Sequence, residues 1–436
     1  MSQLTVHSGE PLRGHVRVPG DKSISHRALL LGALADGVSQ IRGFLPCDDC
    51  LATLACLRAL GIEVETHDAT TLTIHGRGLR GLRAPTVPLN CARSGTTMRL
   101  LAGILAGQPF ASTLTGAPQL LRRPMRRIVE PLHRAGAEIE DTNGHAPLTI
   151  RGRRLRGCDH TLVIASAQVK SALLLAGLYA DGPTNVRQPG PARDHTERML
   201  AAMGTTIETA DLTVTLRPFS PLSSLLSPLS LRIPGDISSA AFPLVAAALA
   251  PGSEVTIEGM GVNPTRTGLL DVLRAMGVEI ALDNEREQGN EPVADVTVRA
   301  SDLVGVEIGG DTVVRMIDEF PALAVAATQA HGTTIVRDAA ELRVKETDRI
   351  ATVVAELRTL GARIDPLPDG FIIEGPTPLH SAVVDSHGDH RLAMALTVAG
   401  LVAEGEVAIE NTECIADSFP GFIELMRRVR ATIFTT

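Results

Sequence analysis

The stretch Ala28-Leu-Leu-Leu-Gly-Ala-Leu-Ala-Asp-Gly37 decides the fold, because it is an apolar run that ends in glycine before a β-rich segment. The same arrangement returns five more times along the chain. The glycines that end these further runs are Gly107, Gly182, Gly252, Gly332 and Gly405. An interval of about 75 residues indicates an internal repeat. We predict that each run is a buried helix with a glycine C-terminal cap.

A second predicted helix in five of the repeats also ends in glycine, and a short alternating strand follows it, as in Leu60-Gly61-Ile62-Glu63-Val64. The other glycines of this type are Gly136, Gly204, Gly277 and Gly361. Alternation of apolar and polar residues is typical of a half-buried strand. Each repeat therefore combines two helices with several strands, and the sequence predicts an α/β fold with one unit used six times.

The two halves of the chain match most closely where Val18-Pro-Gly-Asp21 corresponds to Ile233-Pro-Gly-Asp236. Proline and glycine punctuate the backbone, so we expect the chain to cross between domains at these two places. We predict one three-repeat domain at residues 19–233 and a second formed by residues 1–18 plus 234–436. Ser220 to Ser230, rich in serine, leucine and proline, predicts a loop before the second crossing.

Length and composition set the class of protein. A chain of 436 residues with 44% hydrophobic content fits two domains. No apolar run reaches the roughly 18 to 20 residues that span a bilayer, and the N-terminus does not follow a signal pattern, so we expect a cytoplasmic protein with no membrane partner. A net charge of -8, one Tyr and no Trp argue against a nucleic-acid partner. We expect the six cysteines to be free thiols, with Cys47 and Cys50 a poor zinc site.

The basic residues are unusual because only three of the 41 are lysines, namely Lys22, Lys170 and Lys345. A compact ammonium differs from a planar guanidinium in reach and donor geometry, so these lysines can mark positions where arginine will not serve. Chance survival is the alternative explanation for any one of them.

Three segments have the composition of anion-binding sites. Lys22, Ser23 and Arg27 lie in the first turns of a predicted helix that Ser23 can cap, which leaves backbone N–H groups for a phosphate. Ser94-Gly95-Thr96 repeats this pattern, with a glycine that lets a ligand approach the backbone. Arg122 to Arg127 contains four guanidinium groups. Capped helices with solvated arginines explain these patterns as well.

The segment Arg343-Val-Lys-Glu-Thr-Asp-Arg349 is the strongest local pattern. Lys345 and Arg349 are four residues apart and would share one helix face, where an anion between them would relieve their repulsion. Glu346 beside them is held among cations and can exchange a proton with a ligand. Gly76-Arg-Gly-Leu-Arg-Gly81 matches a dinucleotide-binding pattern, but Pro85 follows it and no helix does, so we expect no such cofactor.

Together these segments resemble the EPSP synthase family along the whole chain and in the family's order. The motifs that carry the resemblance are Pro-Gly-Asp-Lys22-Ser23-Ile-Ser-His-Arg27, Ser94-Gly95-Thr96, Arg123-Pro124, Ser166-Ala-Gln168, Arg193-Asp-His-Thr-Glu, Asp318-Glu-Phe-Pro, Arg343-Val-Lys345-Glu346-Thr-Asp-Arg349 and Asp389-His-Arg391. The resemblance implies a two-domain inside-out α/β barrel, the enolpyruvyl transferase fold, with six βαβαββ-type repeats, three per domain, and an active site in the cleft between them.

The resemblance also implies an activity, which is transfer of the enolpyruvyl group of phosphoenolpyruvate to the 5-hydroxyl of shikimate 3-phosphate, with release of phosphate. It implies that shikimate 3-phosphate is held by Lys22, Ser23, Arg27, Ser166, Gln168, Arg193, Asp318 and Lys345. It implies that phosphoenolpyruvate is held by Lys22, Gly95, Arg123, Gln168, Glu346, Arg349 and Arg391. The implied catalytic residues are Lys22, Asp318 and Glu346, and Lys170 has no implied ligand role, so we expect it on the helix surface or behind the ligand-binding residues.

This chemistry needs an acid and a base but neither a metal nor a cofactor. The protein is expected to act as a monomer on small anionic substrates in the shikimate pathway. The chain departs from the family pattern at Arg93, Ala192, Glu341 and Asp417, and no role is carried onto these residues. Two alternatives remain, which are the related transferase that acts on UDP-N-acetylglucosamine and a non-catalytic anion-binding protein on the same scaffold.

Overall fold

The computed structural model describes residues 2–218 and 225–435. The chain forms two compact units, one of Met1–Pro19, Pro234–Arg286 and Pro292–Thr436 and one of Gly20–Ile233 with Glu287–Glu291. Residues 220–224 of the predicted Ser220 to Ser230 loop lie outside the described residues. Among the helices described, none is long and apolar enough to cross a membrane.

The strands of the described chain are β1 (Leu4–His7), β2 (Arg13–Val16), β3 (Asp36–Arg42), β4 (Glu63–Asp68), β5 (Thr71–Arg77), β6 (Leu89–Asn90), β7 (Ala111–Thr115), β8 (Glu138–Thr142), β9 (His145–Arg151), β10 (Asp159–Thr161), β11 (Thr184–Arg187), β12 (Ile207–Ala210), β13 (Thr213–Leu216), β14 (Ser230–Arg232), β15 (Glu254–Gly261), β16 (Glu279–Gln288), β17 (Glu291–Arg299), β18 (Glu307–Ile308), β19 (Gly332–Val336), β20 (Arg363–Leu367), β21 (Gly370–Gly375), β22 (His380–Asp385), β23 (Glu404–Glu410) and β24 (Thr432–Thr435).

The helices are α1 (Lys22–Leu34), α2 (Asp48–Ala59), α3 (Gly95–Ala106), α4 (Pro118–Leu121), α5 (Arg126–Arg134), α6 (Ala167–Gly177), α7 (His195–Ala202), α8 (Ile237–Leu249), α9 (Gly268–Ala275), α10 (Asp311–Arg315), α11 (Phe320–Thr328), α12 (Arg349–Thr359), α13 (His390–Gly400) and α14 (Phe422–Arg428). Two 3₁₀ helices cover Ala340–Val344 and Thr412–Asp417.

The strands of the described chain form six four-stranded sheets with equivalent spatial orders of strands, and three of the sheets are built from strands consecutive in sequence. In the sheet β6-β7-β9-β8, β6 is parallel to β7, and β9 is antiparallel to both β7 and β8. The sheet β18-β19-β21-β20 repeats this pattern in the other unit. A parallel pair requires a crossover connection, and helix α3 forms the crossover from β6 to β7. The predicted α/β class and its repeated βαβ unit are confirmed.

Both N-terminal strands complete sheets made from much later residues. Strand β1 pairs antiparallel with β23 and β24, and β2 pairs in parallel with β15. Strand β14, near the end of the Gly20–Ile233 segment, pairs in parallel with β3. Each unit therefore contains at least one sheet that is completed by a strand distant in sequence from its neighbours in that sheet.

The apolar runs form helices at the centres of the two units, because they are apolar on all sides and cannot face water. In α3, Leu100, Leu101, Ala102, Leu105 and Ala106 are all completely buried. Helix α3 packs closely on α6 of the same unit, where a Cβ at Gly103 would lie 2.1 Å from the carbonyl oxygen of Ala172. Helices α1, α3, α6 and α13 carry predicted ligand-binding residues in their first turns, namely Lys22 and Ser23, Gly95, Gln168 and Arg391.

The prediction that glycine caps each apolar run is wrong in five of the six cases. Only Gly107 occupies a C-cap position, at the end of α3. Helix α1 ends at Leu34 with Ala35 as its cap, and Gly37 lies inside β3 with φ +121°. The glycines that do follow helix caps at positive φ are those of the second helix type, Gly61, Gly136, Gly204, Gly277 and Gly361.

Candidate active site

The first turn of α1 presents Lys22 and Ser23. Asp21 caps this helix by accepting a hydrogen bond from the Ile24 backbone N–H at 2.9 Å, so the prediction that Ser23 is the cap is wrong. Both residue types are good N-caps, and the helix begins two residues earlier than expected. The ammonium of half-buried Lys22 lies 3.1 Å from Asp49 Oδ2 in the first turn of α2. This ion pair holds the ammonium beside the start of α1.

Arg27 lies one turn further along α1 and is only 3% exposed. Its Nε donates to Thr196 Oγ1 and its second terminal nitrogen to Ser171 Oγ, both at 2.7 Å. Burial lowers the pKa of Arg27 to about 10, and the Glu197 carboxylate is the strongest opposing influence. Arg27 is therefore a preorganised guanidinium that stays charged at neutral pH.

The start of α3 forms a tight pocket around Gly95. Ser94 caps the helix by accepting from the Thr97 N–H at 3.2 Å. A Cβ at position 95 would lie 2.8 Å from a terminal nitrogen of Arg99 and 3.2 Å from one of Arg123. Glycine is thus the residue that leaves both guanidinium groups in place.

Arg99 is a site residue that the sequence reasoning missed. It is 1% exposed and donates to Gln168 Oε1 at the start of α6. A spacing of four residues from Gly95 along α3 was the available signal, because residues at this spacing lie on one face of a helix.

The start of α6 carries Ser166 and Gln168. Ser166 caps the helix through the Val169 N–H, and the Gln168 side-chain amide donates to Thr96 Oγ1 at 3.0 Å. Arg193, in the loop before α7, donates to Ser23 Oγ at 3.4 Å. The unit of Gly20–Ile233 thus contains eight of the predicted ligand residues, which are Lys22, Ser23, Arg27, Gly95, Arg123, Ser166, Gln168 and Arg193.

Asp318 organises the predicted residues of the other unit. Its Oδ1 lies 3.2 Å from the Lys345 ammonium and 3.6 Å from a terminal nitrogen of Arg349. Burial lowers the pKa of Lys345 below its usual range, although Asp318 acts in the opposite direction. A buried ammonium of this kind is easier to deprotonate than a lysine on the surface.

The expectation that Lys345 and Arg349 share a helix face is wrong. Asp348 caps α12 by accepting from the Ala351 N–H at 3.1 Å, so Arg349 is the first helical residue. Lys345 instead ends the 3₁₀ helix Ala340–Val344. The two cations still meet, because both contact Asp318.

Arg349 is fixed by two further carboxylates. Its Nε is 2.7 Å from Asp389 Oδ2, and a terminal nitrogen is 2.7 Å from Glu346 Oε2. Burial acts to raise the pKa of Asp389, but the charge of Arg349, the charge of His390 and the hydrogen bond from Arg349 together lower this pKa below its usual range. Asp389 also caps α13 through the backbone N–H of Arg391 at 2.9 Å. These contacts place Arg349 and Arg391 around one carboxylate.

Two groups of side chains among the described residues have the composition to hold a cation. Glu63, Glu65 and His75 form one on exposed strands, and Asp194, His195 and Glu291 form the other. In the second group Asp194 Oδ2 already forms an ion pair with Arg198 Nε at 2.9 Å. Neither group includes a residue of the predicted catalytic set.

Comparison with known proteins identifies relatives over the whole chain. A family model described as EPSP synthase (3-phosphoshikimate 1-carboxyvinyltransferase) matches residues 6–426. The 3-phosphoshikimate 1-carboxyvinyltransferase of Herpetosiphon aurantiacus is 56% identical over 421 residues, which cover 96% of this chain and 97% of that protein. The enzyme of the same name from Desulforamulus reducens is 50% identical over 429 residues, or 98% and 99% of the two chains.

Solved structures agree with these sequence matches. An EPSP synthase from Acinetobacter baumannii superimposes with a TM-score of 0.90 at 44% identity and covers 100% of both chains. The enolpyruvyl transferase NikO from Streptomyces tendae has a TM-score of 0.79 at 21% identity and covers 100% of this chain and 99% of that one. The NikO match shows the fold alone, and it confirms the predicted enolpyruvyl transferase fold.

Proposed function

This chain belongs to the EPSP synthase (3-phosphoshikimate 1-carboxyvinyltransferase) family, and we propose that two clusters of its residues act on shikimate 3-phosphate and phosphoenolpyruvate. The first cluster is the set of predicted ligand residues in the Gly20–Ile233 unit, and the second is the set around Asp318. The chain is an enzyme that transfers the enolpyruvyl group to shikimate 3-phosphate. The alternative of a UDP-N-acetylglucosamine transferase is not supported by these relatives, and neither is that of a non-catalytic protein.

The observation that carries the assignment of residues is the sharing of Asp318 Oδ1 by Lys345 and Arg349. Both cations lie against one carboxylate oxygen, and a carboxylate is a group that can accept a proton in catalysis. We assign Asp318 as the base that takes the proton of the substrate's 5-hydroxyl. We assign Lys345 to shikimate 3-phosphate and Arg349 to phosphoenolpyruvate.

The cations of the first cluster suit the phosphate of shikimate 3-phosphate. Arg27 and Arg193 donate to neutral hydroxyls, at Thr196, Ser171 and Ser23, and such bonds orient a guanidinium without neutralising its charge. Ser166 and Gln168 lie at a helix start, where backbone N–H groups favour negative charge. We assign these residues, with Ser23, to shikimate 3-phosphate.

We assign phosphoenolpyruvate to the cations Lys22, Arg123, Arg349 and Arg391. The acidic Glu346, the amide of Gln168 and the backbone at Gly95 complete this set. The two substrates together bring on the order of five negative charges, so a large number of cations is required. The absence of a side chain at Gly95 leaves the Arg123 guanidinium close to the backbone of α3. An anion can then approach both the Arg123 guanidinium and the backbone N–H groups at the start of α3.

The reaction steps are assigned from these placements. Glu346 with Lys22 delivers a proton to the methylene carbon of phosphoenolpyruvate, and the neighbouring carbon becomes cationic. The 5-hydroxyl oxygen adds to that carbon while Asp318 takes its proton, which gives a tetrahedral adduct. The carboxylate of Glu346 then takes a proton back from the methyl group while phosphate departs, which forms the enolpyruvyl product. Acid-base steps of this kind contribute about 10² to 10⁴ in rate.

The test is phosphate release from phosphoenolpyruvate by the purified chain, measured with and without shikimate 3-phosphate. We expect saturable release that requires both substrates and is unchanged by a chelator. Release with UDP-N-acetylglucosamine in place of shikimate 3-phosphate would contradict the assignment, as would full inactivation by the chelator that added metal reverses.

We further propose that the enzyme is a cytoplasmic monomer with no nucleic-acid partner. Six cysteines that all remain free thiols are typical of a reducing compartment, and a net charge of -8 repels a polyanion. Light scattering during gel filtration tests the monomer, with a mass near 46.0 kDa expected and twice that value contradicting it.

A further inference from the structure

Lys170 lies in α6, four residues after Ser166, and its side chain is buried. Its ammonium is 2.6 Å from Glu197 Oε1 in α7 and donates to the backbone carbonyl of Ala192 at 3.1 Å. Of the two positions expected for Lys170, the helix surface is therefore wrong, and the position behind the predicted ligand-binding residues agrees with its burial. One ammonium joins α6, α7 and the loop that precedes α7.

The loop contact lies directly beside a predicted ligand. Ala192 precedes Arg193, whose guanidinium donates to Ser23 Oγ at 3.4 Å. A carbonyl held by a buried ammonium fixes the backbone at the start of the Arg193 side chain. The position of the Arg193 guanidinium then depends on Lys170, although the side chains of Arg193 and Lys170 do not contact the same groups.

The helix contact lies beside a second predicted ligand. Ser171 and Thr196, the neighbours of Lys170 and Glu197, hydrogen-bond each other at 2.7 Å and both accept from Arg27. The ion pair between Lys170 and Glu197 thus fixes the two helices at the point where they hold the Arg27 guanidinium.

The charges around Arg27 also point to a role for Lys170. Glu197 is 6% exposed. Burial lowers the pKa of Arg27, and the negative charge of Glu197 is the strongest influence that raises it. The second oxygen of Glu197, Oε2, has no hydrogen-bond partner within the described part of the chain. Without the ammonium of Lys170, the attraction of Glu197 would fall on Arg27, in competition with a bound phosphate.

We propose that Lys170 is a positioning residue for shikimate 3-phosphate, which fixes Arg193 through the carbonyl of Ala192 and neutralises Glu197 so that the charge of Arg27 is available to the substrate. The inference rests on the assignment of Arg27 and Arg193 made above. It explains why this position keeps a lysine in a chain rich in arginine. A single small ammonium satisfies two acceptors in a closed space where a planar guanidinium is too large.

The experiment measures the dissociation constant of shikimate 3-phosphate by calorimetry without phosphoenolpyruvate, together with kcat and both KM values. Lys170→Met should weaken shikimate 3-phosphate binding by about tenfold, the size of effect expected for one charged hydrogen bond, and should leave the KM of phosphoenolpyruvate nearly unchanged. A residue with a purely structural role would instead lower the fraction of active enzyme and affect both substrates alike.

Lys170→Met leaves a buried carboxylate unpaired, and so the double variant Lys170→Met/Glu197→Gln serves as the control for folding. We expect the double variant to regain thermal stability while shikimate 3-phosphate binding stays weak, because the bond to the Ala192 carbonyl is still missing. Wild-type binding by the folded double variant would overturn the inference. Arg193→Gln, measured in parallel, separates the two claims: if Arg193→Gln also binds normally, the ligand assignment itself fails.

Discussion

Arg349 and Asp389 form a buried ion pair with two contacts, Nε to Oδ2 at 2.7 Å and a terminal nitrogen to Oδ1 at 3.2 Å. Arg349 is 1% exposed and Asp389 is completely buried. The same Oδ1 of Asp389 accepts the backbone N–H of Arg391. One carboxylate therefore holds two residues that we assign to phosphoenolpyruvate.

Asp389→Asn should raise the KM of phosphoenolpyruvate by about tenfold and lower the thermal midpoint, because an amide keeps the cap of α13 but removes the one completely buried carboxylate that pairs with Arg349. Steady-state kinetics and thermal unfolding measure the two effects. Asp365→Asn is the matched control, since it removes the partner of Arg358 on the surface, where an ion pair contributes little. Equal effects of the two variants would contradict the role given to Asp389.

Glu346→Gln and Asp318→Asn should each lower kcat by about 10² or more with smaller effects on the two KM values, as expected for groups that transfer protons in the transition state. The exposed residue Glu424 provides the control, and Glu424→Gln should leave kcat unchanged. Near wild-type kcat in either site variant would remove that residue from the catalytic set.

The sequence predicted the helices well where the whole run was apolar, because a helix such as α3 can lie only in a core. The sequence patterns predicted the capping residues of the helices poorly. Asp21 and Ser23 are both suited to start α1, and the spacing alone does not choose between them. The run ending in Gly37 continues past the end of α1 into β3, so its glycine serves the strand rather than the helix.

Contacts between distant residues were beyond the sequence patterns. Lys345 meets Asp318 across 27 positions of sequence, and Lys170 meets Glu197 on another helix. Local spacing describes one helix face at a time and carries no information about which side chain of a neighbouring element lies opposite. Resemblance to a family named the expected ligand residues, but it gave no role to Arg99 or to Lys170.

Stability should fall in mild acid because of His26. Burial lowers the pKa of His26 to about 3, so the residue is neutral in the fold, where its Nδ1 lies 2.7 Å from Thr53 Oγ1. Between the folded value and the ordinary value of 6.5, the unfolded chain binds the extra proton, and the free energy of unfolding therefore decreases as pH falls through this window. At pH 5 the loss from this group is about 2 kcal/mol relative to neutral pH.

Urea unfolding at pH 7 and pH 5 checks this prediction with His26→Asn, which cannot take up the proton. The variant should be less stable at pH 7, because it loses the contact with Thr53, but should lose less stability than the wild type on acidification. His15→Asn, at an exposed histidine, should keep the wild-type dependence on pH. Identical dependence in all three proteins would show that His26 is not the group responsible.

Glyphosate should inhibit the enzyme in competition with phosphoenolpyruvate, and Gly95→Ala should weaken that inhibition by at least about tenfold. The added methyl group would lie 2.8 Å from a terminal nitrogen of Arg99 and 3.2 Å from one of Arg123, so both guanidinium groups must shift. The smaller substrate should tolerate this shift better than the longer inhibitor. Inhibition constants and the KM of phosphoenolpyruvate measured on both proteins decide the matter, and equal inhibition would show that the space beside Gly95 is not limiting.

Lys22→Arg should lower kcat/KM by about 10² or more, although it keeps the positive charge, because a guanidinium is bulkier and does not release its proton at neutral pH. The ammonium of Lys22 is held at 3.1 Å from Asp49 Oδ2 in a half-buried position, so a longer side chain has to displace either Asp49 or a ligand. Arg17→Lys is the matched control at an exposed position and should leave kinetics unchanged. The comparison is made by steady-state kinetics at a temperature where the two variants and the wild type are fully folded. Wild-type activity of Lys22→Arg would show that any cation suffices there, and would remove Lys22 from proton transfer while leaving its place as a ligand intact.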